Sequence, residues 1–397
     1  MENNKIVWLC HLANQELNKK YNKEVDMCAY WMTQFIDIIR GAGKEIHIVS
    51  PNYYTNSDDY FILNDVHYHL YKYYSGLGSP KSAIVECSFF NRLLKNKISQ
   101  IIESIKPQLV HLFGAENITY SQGVLPFIDK LPTVLSVQGY IQNADQKGSF
   151  FRKYTIKQRT KNEDEILKRI PHVTFEELGN ESKLYYLKKY GYGTVHTINF
   201  PIKRPLIDAS KVEKVFDIVF WGRVTVDKGV EDLINSIALL KKRKQNITCQ
   251  ILGGGSRQYQ DYLKSYVKKL GVDNNVLFGG FQKTNEDLFN TASKSRVYVL
   301  PTHYDALPGS IRESMLMKIP VVSYPVGDIP LLNKDRESIL LAKYRDTEEL
   351  ARCIMNLLTN EELYNRMMEN GYKTAYDSCD ELIIREQILN TYNSILN

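Results

Sequence analysis

Charged side chains follow two predicted strands in the second half of the chain, and their types and spacing suit ligand binding. Arg223 and Lys228 precede a predicted helix and, together with its N-terminus, offer positive charge to an anion. Asp305 and Glu313 stand eight residues apart, on either side of a Leu-Pro-Gly-Ser turn. We expect the two carboxylates, the free amides of this turn and a helix N-terminus to face one crevice.

The elements around the two carboxylates are predicted as strand, loop, helix and strand. Residues 297–301 form a short apolar run that ends in proline, which is typical of a buried parallel strand. Ser310 can cap a helix over 310–318, which Pro320 would end, and residues 321–324 begin the next strand. Ligands of open α/β sheets bind at the carboxyl ends of strands, so this loop is a candidate binding site.

Structural roles are the alternative for the same residues. Ser310 and Glu313 also fit a capping box, in which the glutamate binds only the backbone at the helix start. Arg223 and Lys228 could be ordinary solvated surface cations. The residues alone leave both alternatives open.

Glycines follow three predicted strands of the second half, at Gly222, at 253–255 and at 279–280. Glycine permits a close approach of the backbone to a ligand. The 253–256 turn lacks the Gly-Lys-Ser/Thr of a P-loop and the spacing of a dinucleotide-binding G-x-G-x-x-G motif. A tight strand-to-helix turn is therefore as good an interpretation as a ligand contact.

The second half alternates strand and helix without a break, which predicts a doubly wound parallel sheet. Strands are predicted at 217–221, 247–252, 276–278, 297–300 and 321–324, and helices near 230–243, 257–270, 285–294 and 310–318. In the first half we predict strands at 5–10, 45–51, 66–71, 107–114 and 132–140, helices at 27–40 and 81–105, and a polar loop between 11 and 25. The whole chain is thus predicted to be α/β.

Composition predicts a globular protein of two domains, because 397 residues exceed one ordinary domain and 43% of them are hydrophobic. No apolar run is long enough to span a membrane. The six cysteines, at 10, 28, 87, 249, 353 and 379, show no C-x-x-C spacing and suggest reduced thiols in the cytoplasm. His67 and His69 share one face of a predicted strand, but the sequence shows no third metal ligand beside them, so we predict no metal site.

The positive charge lies in the first half of the chain. Residues 1–205 carry 26 Lys and Arg against 20 Asp and Glu, whereas residues 206–397 carry 25 of each. Such a half could meet an anionic membrane or a phosphorylated acceptor, but no nucleic-acid motif accompanies the charge. The basic segment from Lys147 to Lys161 is predicted to be solvated or to guide an anionic acceptor, and the apolar stripe over 89–102 to pack in the core or lie on a membrane.

Several of these pieces resemble one family. The acidic residues at 305 and 313, the Leu-Pro-Gly loop and the run Lys-Ile-Pro-Val-Val at 318–322 resemble the E-x7-E region of retaining GT-B glycosyltransferases of family 4. That family usually begins this region with E-G-x-P, where the present chain has Asp-Ala-Leu-Pro, and the shorter carboxylate bears on the donor sugar. The Gly222-Arg223 pair followed by Lys228-Gly229 is similar to the family's diphosphate loop, and residues 278–281 look like its loop beside the nucleotide base.

The resemblance implies a GT-B architecture, in which two Rossmann-like doubly wound domains face a cleft. We expect an acceptor-binding domain at 1–203, a sugar-nucleotide-binding domain at 204–378, and a helix at 379–397 that returns to the first domain. The implied reaction moves a sugar from a UDP- or GDP-linked donor to a glycan or lipid-linked acceptor, without a metal, at the cytoplasmic face of a membrane that makes surface polysaccharide. A sugar-nucleotide epimerase and a non-catalytic sugar-nucleotide-binding protein are the alternatives.

The resemblance also implies roles for particular residues. Arg223 and Lys228 would stabilise the departing diphosphate, Glu313 would bind the ribose hydroxyls, and Asp305 would bind the sugar. Further donor contacts are expected from Gly222, Gly254, Phe281, Ala306, Leu307, Pro308, Gly309 and Ser310. His111 and Gln138 are expected on the acceptor side, where Gln138 replaces a histidine of the family and cannot titrate.

Overall fold

The computed structural model describes residues 4–23, 30–72, 89–141, 150–202, 204–243 and 247–397. The chain forms two compact units. The N-terminal unit comprises Met1–Pro201 and Glu381–Asn397, and the C-terminal unit comprises Ile202–Asp380. The domain boundaries expected after residues 203 and 378 each lie two residues from these limits, and Lys203 itself lies outside the described residues.

The N-terminal unit is built on an eight-stranded sheet in the order β3-β4-β2-β1-β5-β6-β7-β8. Its strands are β1 Lys5–Leu9, β2 Glu45–Asn52, β3 Asp59–Leu63, β4 Val66–Lys72, β5 Leu109–Phe113, β6 Thr133–Ser136, β7 His172–Phe175 and β8 Thr194–Thr197. Among these described strands, β3 runs antiparallel to β4, and the other neighbouring pairs are parallel. The strand order reverses between β1 and β5, so a ligand crevice is expected at the carboxyl ends of these two strands.

Helices of the N-terminal unit span Gln15–Tyr21, Tyr30–Ile39, Phe89–Ile105, Ile118–Ser121, Phe150–Arg169, Asn180–Lys189 and Glu381–Leu396. The first of them corrects the expected polar loop, because Asn14 caps it by accepting a 2.9 Å hydrogen bond from the Leu17 amide. Seven residues are too few for an apolar period to show in the sequence. Residues 27–29 and 81–88 of the predicted helices lie outside the described residues, as do Cys28, Cys87 and Lys147.

The C-terminal helix Glu381–Leu396 completes the core of the N-terminal unit, as expected. Ile384, Ile388 and Tyr392 are buried in the same apolar cluster as Trp8. The Trp8 indole donates a 2.8 Å hydrogen bond to the Tyr392 hydroxyl. The end of the chain is therefore part of the first folding unit.

The apolar stripe of the helix Phe89–Ile105 belongs to this unit's interior. Ile98, Ile102 and Ile105 are buried in its second apolar cluster, and Lys97 forms an ion pair with Asp58. This supports the core-packing interpretation over the membrane-surface one for this helix. Among the described helices, none combines the length and apolarity that crossing a bilayer requires.

The C-terminal unit is built on a six-stranded, fully parallel sheet in the order β11-β10-β9-β12-β13-β14. The strands are β9 Phe216–Trp221, β10 Cys249–Leu252, β11 Val276–Gly280, β12 Ser295–Leu300, β13 Val321–Ser323 and β14 Leu340–Leu341. Helices span Val230–Lys242, Arg257–Lys269, Asn285–Ala292, Gly309–Leu316, Thr347–Thr359 and Glu361–Ser378. The doubly wound prediction is confirmed, and here the strand order reverses between β9 and β12.

The first sheet brings together possible metal ligands that the sequence did not connect. The sequence shows no third metal ligand beside His67 and His69, but β2 pairs in parallel with β4 and places His47 opposite His67. Glu45, two residues earlier on β2, lies on the same face as His47. A long-range pairing of this kind cannot be seen from local spacing.

Candidate functional site

Backbone packing shapes the carboxyl ends of β9 and β10. Gly222 and Gly253 have φ angles of 148° and 141°, which favour glycine. A Cβ on Gly253 would lie 1.8 Å from the Gly222 carbonyl oxygen, and one on Gly255 would lie 2.1 Å from the Val224 carbonyl oxygen. Gly253 and Gly255 are thus required because a neighbouring backbone segment leaves no room for a side chain. This supports the tight-turn interpretation. Gly254 is different, since a Cβ there would make only ordinary contact with Phe281 at 3.7 Å.

Lys228 and Asp305 form an ion pair at the reversal of strand order. The Lys228 Nζ donates to Asp305 Oδ2, and the Thr302 hydroxyl lies 3.2 Å from the same oxygen. The two charged side chains are only 11% and 20% exposed. The sequence placed both residues near a ligand but did not predict that they bind each other. An arriving anion would therefore meet a lysine that already has a carboxylate partner.

Glu313 lies in the helix Gly309–Leu316, and its Oε2 accepts a 3.2 Å hydrogen bond from the Trp221 indole at the end of β9. Burial raises the pKa of Glu313 above its ordinary value. The Trp221 ring packs on Tyr298, with 3.9 Å between ring centroids, and the Tyr298 hydroxyl lies 2.8 Å from Ser310 Oγ. The carboxylate is thus fixed by a side chain from the neighbouring strand.

This arrangement corrects the predicted helix start. Pro308 occupies the N-cap position and makes no side-chain cap, while Ser310 lies inside the first turn and contacts Tyr298. The expected cap by Ser310 is wrong, and the Glu313 side chain contacts Trp221 instead of completing a capping box. The helix also ends at Leu316, because Lys318 turns to a φ of 58° before Pro320 is reached.

The 305–310 loop packs against the segment that follows β13. A Cβ on Gly327 would lie 2.1 Å from the Asp305 carbonyl oxygen, and the Asp328 amide donates a 2.9 Å hydrogen bond to the Ala306 carbonyl. Ala306 is exposed, Leu307 is partly buried and Pro308 is buried. The loop is therefore positioned by close backbone contacts, with the uncapped amides at the start of the next helix beside it.

Arg223 and Phe281 project from the ends of β9 and β11. Arg223 is exposed and makes no side-chain hydrogen bond or ion pair within the part of the chain that the structure describes. Phe281 is 74% exposed, although large apolar side chains are usually covered. Both side chains are available to a ligand, in contrast to the paired Lys228.

Sequence reasoning missed three side chains that position the charged ones, namely Trp221, Tyr298 and Thr302. Trp221 and Tyr298 lie within apolar strands, whose pattern predicts burial but no role at the site. The available signal was that each carries a polar donor at or near the carboxyl end of a strand, where a buried N–H or O–H requires a partner.

The N-terminal unit places His111 in its core. The residue is fully buried, its Nδ1 lies 2.8 Å from the Tyr392 hydroxyl and its Nε2 lies 2.8 Å from Ser136 Oγ. Burial lowers the pKa of His111 to about 3, so the ring is neutral. We therefore do not retain it as an acceptor-side residue. Gln138 lies in the loop after β6 and is partly buried.

Other titratable side chains gather where β1 and β5 end. We call His11, Glu116, Arg159 and Glu163 the strand-end cluster. Burial raises the pKa of Glu116 to about 7 and that of Glu163 to about 8, and burial together with the charge of Arg159 lowers the pKa of His11 to about 4. Glu116 Oε2 is buried without a hydrogen-bond partner among the described residues.

Arg159 is itself only 7% exposed, so the expectation that it lies on a solvated basic face is wrong. It belongs to the helix Phe150–Arg169, whose buried side packs toward the sheet. Its neighbours Lys153, Lys157 and Lys161 are exposed and do lie on a solvated face.

Residues 206–374 match the family model described as glycosyl transferases group 1. Among curated relatives, the alpha-D-kanosaminyltransferase of Streptomyces kanamyceticus is 29% identical over 39% of this chain and 39% of its own length. The capsular polysaccharide biosynthesis glycosyltransferase CapM of Staphylococcus aureus is 25% identical over 55% of this chain and 57% of its own length. The chain thus spans well under two thirds of these relatives.

Solved structures match over almost the whole chain. Sucrose-phosphate synthase from Thermosynechococcus elongatus has a TM-score of 0.73 at 17% identity and covers 99% of both chains. HepE of Anabaena in complex with UDP has a TM-score of 0.69 at 17% identity, over 98% of this chain and 100% of its own. At such identity the likeness shows the fold alone.

The fold is the two-domain, Rossmann-like fold of GT-B glycosyltransferases. The family-model match lies wholly within the C-terminal unit, which contains Arg223, Lys228, Asp305 and Glu313. Together with the named relatives it supports a transferase, and it agrees with the GT-B resemblance of the sequence.

Proposed function

We propose that this protein is a retaining glycosyltransferase of family 4, which moves a sugar from a nucleoside-diphosphate sugar to a glycan or lipid-linked acceptor. The observation that carries the proposal is the convergence of Lys228, Asp305 and Glu313 at the β9–β12 reversal, beside the exposed Arg223. Two cations suit a diphosphate, and two carboxylates suit sugar hydroxyls. HepE is described in complex with UDP, so UDP-linked sugars are the first donors to test and GDP-linked sugars the second.

The proposed chemistry is stabilisation of the leaving group. Arg223 and Lys228 would take up the charge that develops on the departing diphosphate, so the reaction would require no metal. When the diphosphate binds, Lys228 would exchange part of its contact with Asp305 for phosphate oxygens. Asp305 would then be free to accept hydrogen bonds from the sugar, while Glu313 would bind the ribose. Gly222, Gly254, Phe281 and the 306–310 loop would line the donor.

The strand-end cluster is the proposed acceptor-side counterpart within the N-terminal unit. Glu116 offers a buried carboxylate oxygen that has no hydrogen-bond partner among the residues described, at the point where the strand order reverses. Burying a carboxylate oxygen without a hydrogen-bond donor costs free energy of folding. A hydroxyl group of the sugar-accepting substrate could donate that hydrogen bond. Gln138, in the loop after the neighbouring strand β6, remains a proposed contact.

A peripheral association with an anionic membrane is part of this proposal. At 100° per residue, Phe150, Lys153, Tyr154, Lys157 and Lys161 fall on one face of the helix Phe150–Arg169, opposite its buried side. Phe150 is 77% exposed and Tyr154 is 37% exposed, and the three lysines are exposed as well. Aromatic rings and lysines on one exposed face suit a bilayer interface with anionic lipid. A lipid-linked acceptor, as in surface polysaccharide synthesis, would be met at such an interface.

Acceptor-dependent release of nucleoside diphosphate tests the reaction. A panel of UDP- and GDP-linked sugars is first screened by thermal shift, and stabilising donors are then assayed with and without glycan and lipid-linked acceptors. NMR of the product's anomeric proton against that of the donor tests retention. Stabilisation without acceptor-dependent release would favour a binding protein, and conversion of the sugar without transfer would favour an epimerase.

Flotation with vesicles tests the membrane contact. Binding to vesicles that contain anionic lipid should fall when Lys153, Lys157 and Lys161 are changed to serine, and should weaken between low and high salt. Serine substitution of Lys264, Lys268 and Lys269, three exposed lysines on the helix Arg257–Lys269, supplies a control that removes the same charge. Equal loss in the control variant would mean that total charge, not this face, governs binding.

A further inference from the structure

A cluster of three histidines and a glutamate lies on one face of the N-terminal sheet. Strands β2 and β4 are parallel neighbours, with His47 opposite His67 and Val49 opposite His69. Side chains two residues apart in a strand share a face, so Glu45 joins His47 and His69 joins His67. The edge strand β3 adds Tyr60 opposite His69.

Two imidazole nitrogens converge on one carboxylate oxygen. His47 Nε2 lies 2.8 Å from Glu45 Oε1, and His67 Nε2 lies 3.7 Å from the same atom. The two rings are stacked, with 4.4 Å between centroids and 28° between planes. One ligand atom from each of Glu45, His47 and His67 lies within 4.8 Å of the other two. Small side-chain rotations would bring all three within bonding distance of one ion.

The other ring nitrogens of these two histidines are also engaged. His47 Nδ1 lies 3.0 Å from His69 Nε2, and His67 Nδ1 lies 2.9 Å from the Tyr60 hydroxyl. Metal-binding histidines usually hydrogen-bond through the nitrogen that does not bind the ion, because this fixes the tautomer and the ring orientation. Here both rings are held with Nε2 directed to the shared carboxylate.

The chemistry of the cluster suits a cation. Imidazole nitrogens and a carboxylate oxygen are among the ligand types that proteins offer to zinc. Lys5 is paired with Glu45 in the sheet, so its positive charge opposes a cation bound there.

We propose that Glu45, His47 and His67 bind a divalent transition-metal ion of the Zn²⁺ class, with His69 and Tyr60 orienting the ligands. The Glu45 and His67 side chains are 33% and 20% exposed, so water can reach a fourth position. Glu45 and His67 lie near the amino ends of β2 and β4, opposite the carboxyl ends where ligands of the sheet are expected. The ion would therefore join β4 to β2 and stabilise the unit, and it would take no part in the proposed transfer.

Metal binding to the full-length, tag-free protein after EDTA dialysis tests this proposal. Calorimetry with ZnCl₂ should give one site, and Co²⁺ should give the visible absorption of a four-coordinate centre. His67→Ala should abolish Zn²⁺ binding, and Glu45→Gln should weaken the Zn²⁺ affinity by about tenfold or more. Tyr60→Phe should lower the affinity about tenfold, because the His67 ring loses the hydrogen bond that orients it. Lys5→Gln should tighten binding. Zn²⁺ should raise the Tm of wild type and leave that of His67→Ala unchanged.

His196→Ala is the matched control. His172 and His196 form another histidine pair in the same unit, 3.1 Å apart between ring nitrogens, and no acidic side chain completes a ligand set there within the described residues. The control should bind Zn²⁺ like wild type. Absence of a single site in wild type, or equal affinity in His67→Ala, overturns the proposal; loss of binding in the control would move the site to the other pair.

Discussion

The strand order reverses at one point in each unit, and different types of residue lie at the two points. At the β9–β12 reversal, glycine backbones touch and cations stand beside an uncapped helix start. At the β1–β5 reversal, the strand-end cluster gathers buried acids and a buried arginine. The β9–β12 site suits a ligand with an anionic group, such as a diphosphate, that the cations can bind. The second suits neutral hydrogen-bonding groups, because buried charges are costly to leave unpaired.

The difference also separates what is local from what is not. The C-terminal site is assembled mostly from short segments in which backbone shape and charge are adjacent in sequence. The strand-end cluster joins His11 from the segment after β1, Glu116 from the segment after β5, and two residues of the helix Phe150–Arg169. We expect substitutions in the first to change ligand binding with little loss of stability, and substitutions in the second to change stability and its pH dependence.

The largest effect is expected for Lys228→Ala. Removing one preorganised donor to the diphosphate should lower turnover by on the order of a hundredfold or more. Lys228→Ala also leaves the Asp305 carboxylate unpaired beside the phosphates, so it should be worse than Arg223→Ala, which removes an exposed cation without such a partner. Nucleotide-release assays with the preferred donor measure both.

A double variant tests that reasoning. Lys228→Ala with Asp305→Asn removes the unpaired charge and should bind UDP better than Lys228→Ala alone. If the double variant binds worse than the single one, repulsion by Asp305 is not the cause. If Arg223→Ala and Lys228→Ala both turn over like wild type, the diphosphate assignment is wrong.

Glu163→Gln should change how stability depends on pH. In the folded state the pKa of Glu163 is about 8 against an ordinary 4.5, so the folded protein holds a proton that the unfolded chain releases. This contribution is fully present below pH 4.5 and is lost as pH rises toward 8. Glutamine can still accept the 2.9 Å hydrogen bond from the Ile141 amide without ionising. Relative to wild type, the Tm of the variant should rise by at least about 3 °C between pH 5 and pH 8.

Glu165→Gln is the control for this pH series, since Glu165 lies on the same helix with its side chain 48% exposed. It should follow the wild-type curve. Parallel curves for all three proteins would show that Glu163 ionises normally in the folded state and that the contrast between the two reversals is overdrawn.

The sequence predicts more of one unit than of the other for a physical reason. Gly222, Arg223 and Lys228 lie within one short segment, so their pattern can be recognised in the sequence. The parallel sheet is predicted by the alternation of strands and helices. The Lys228–Asp305 pair and the Trp221–Glu313 bond could not be predicted, because the partners are 77 and 92 residues apart in sequence. His111 was misjudged for the same reason, since its partner Tyr392 lies on the returning helix.

Glu313→Gln distinguishes ribose binding from a structural role. Glutamine can still accept from the Trp221 indole but loses charge-assisted bonds to vicinal hydroxyls, so UDP binding should weaken roughly tenfold. Because burial already opposes ionisation of this carboxyl, the Tm at pH 8 should stay the same or rise. A fall in Tm with unchanged UDP affinity by calorimetry would assign Glu313 to the fold.

The smallest effect is expected for Asp305→Glu, which keeps the charge and lengthens the side chain by one methylene. Asp305 Oδ2 contacts both Lys228 Nζ and Thr302 Oγ1, and a longer carboxylate can keep the flexible lysine but not both contacts. Turnover should fall by roughly two- to fivefold, and the ranking of donors should shift, because a carboxylate that binds sugar hydroxyls discriminates between their patterns. Asp227→Glu is the matched control, since the Asp227 carbonyl, rather than its carboxylate, bonds to Thr302 and to the His303 amide. Rates with several sugar nucleotides should match wild type in the control and change order only in Asp305→Glu. The same order in all three proteins would mean that Asp305 positions Lys228 and does not touch the sugar, and that the aspartate at this position says nothing about the donor.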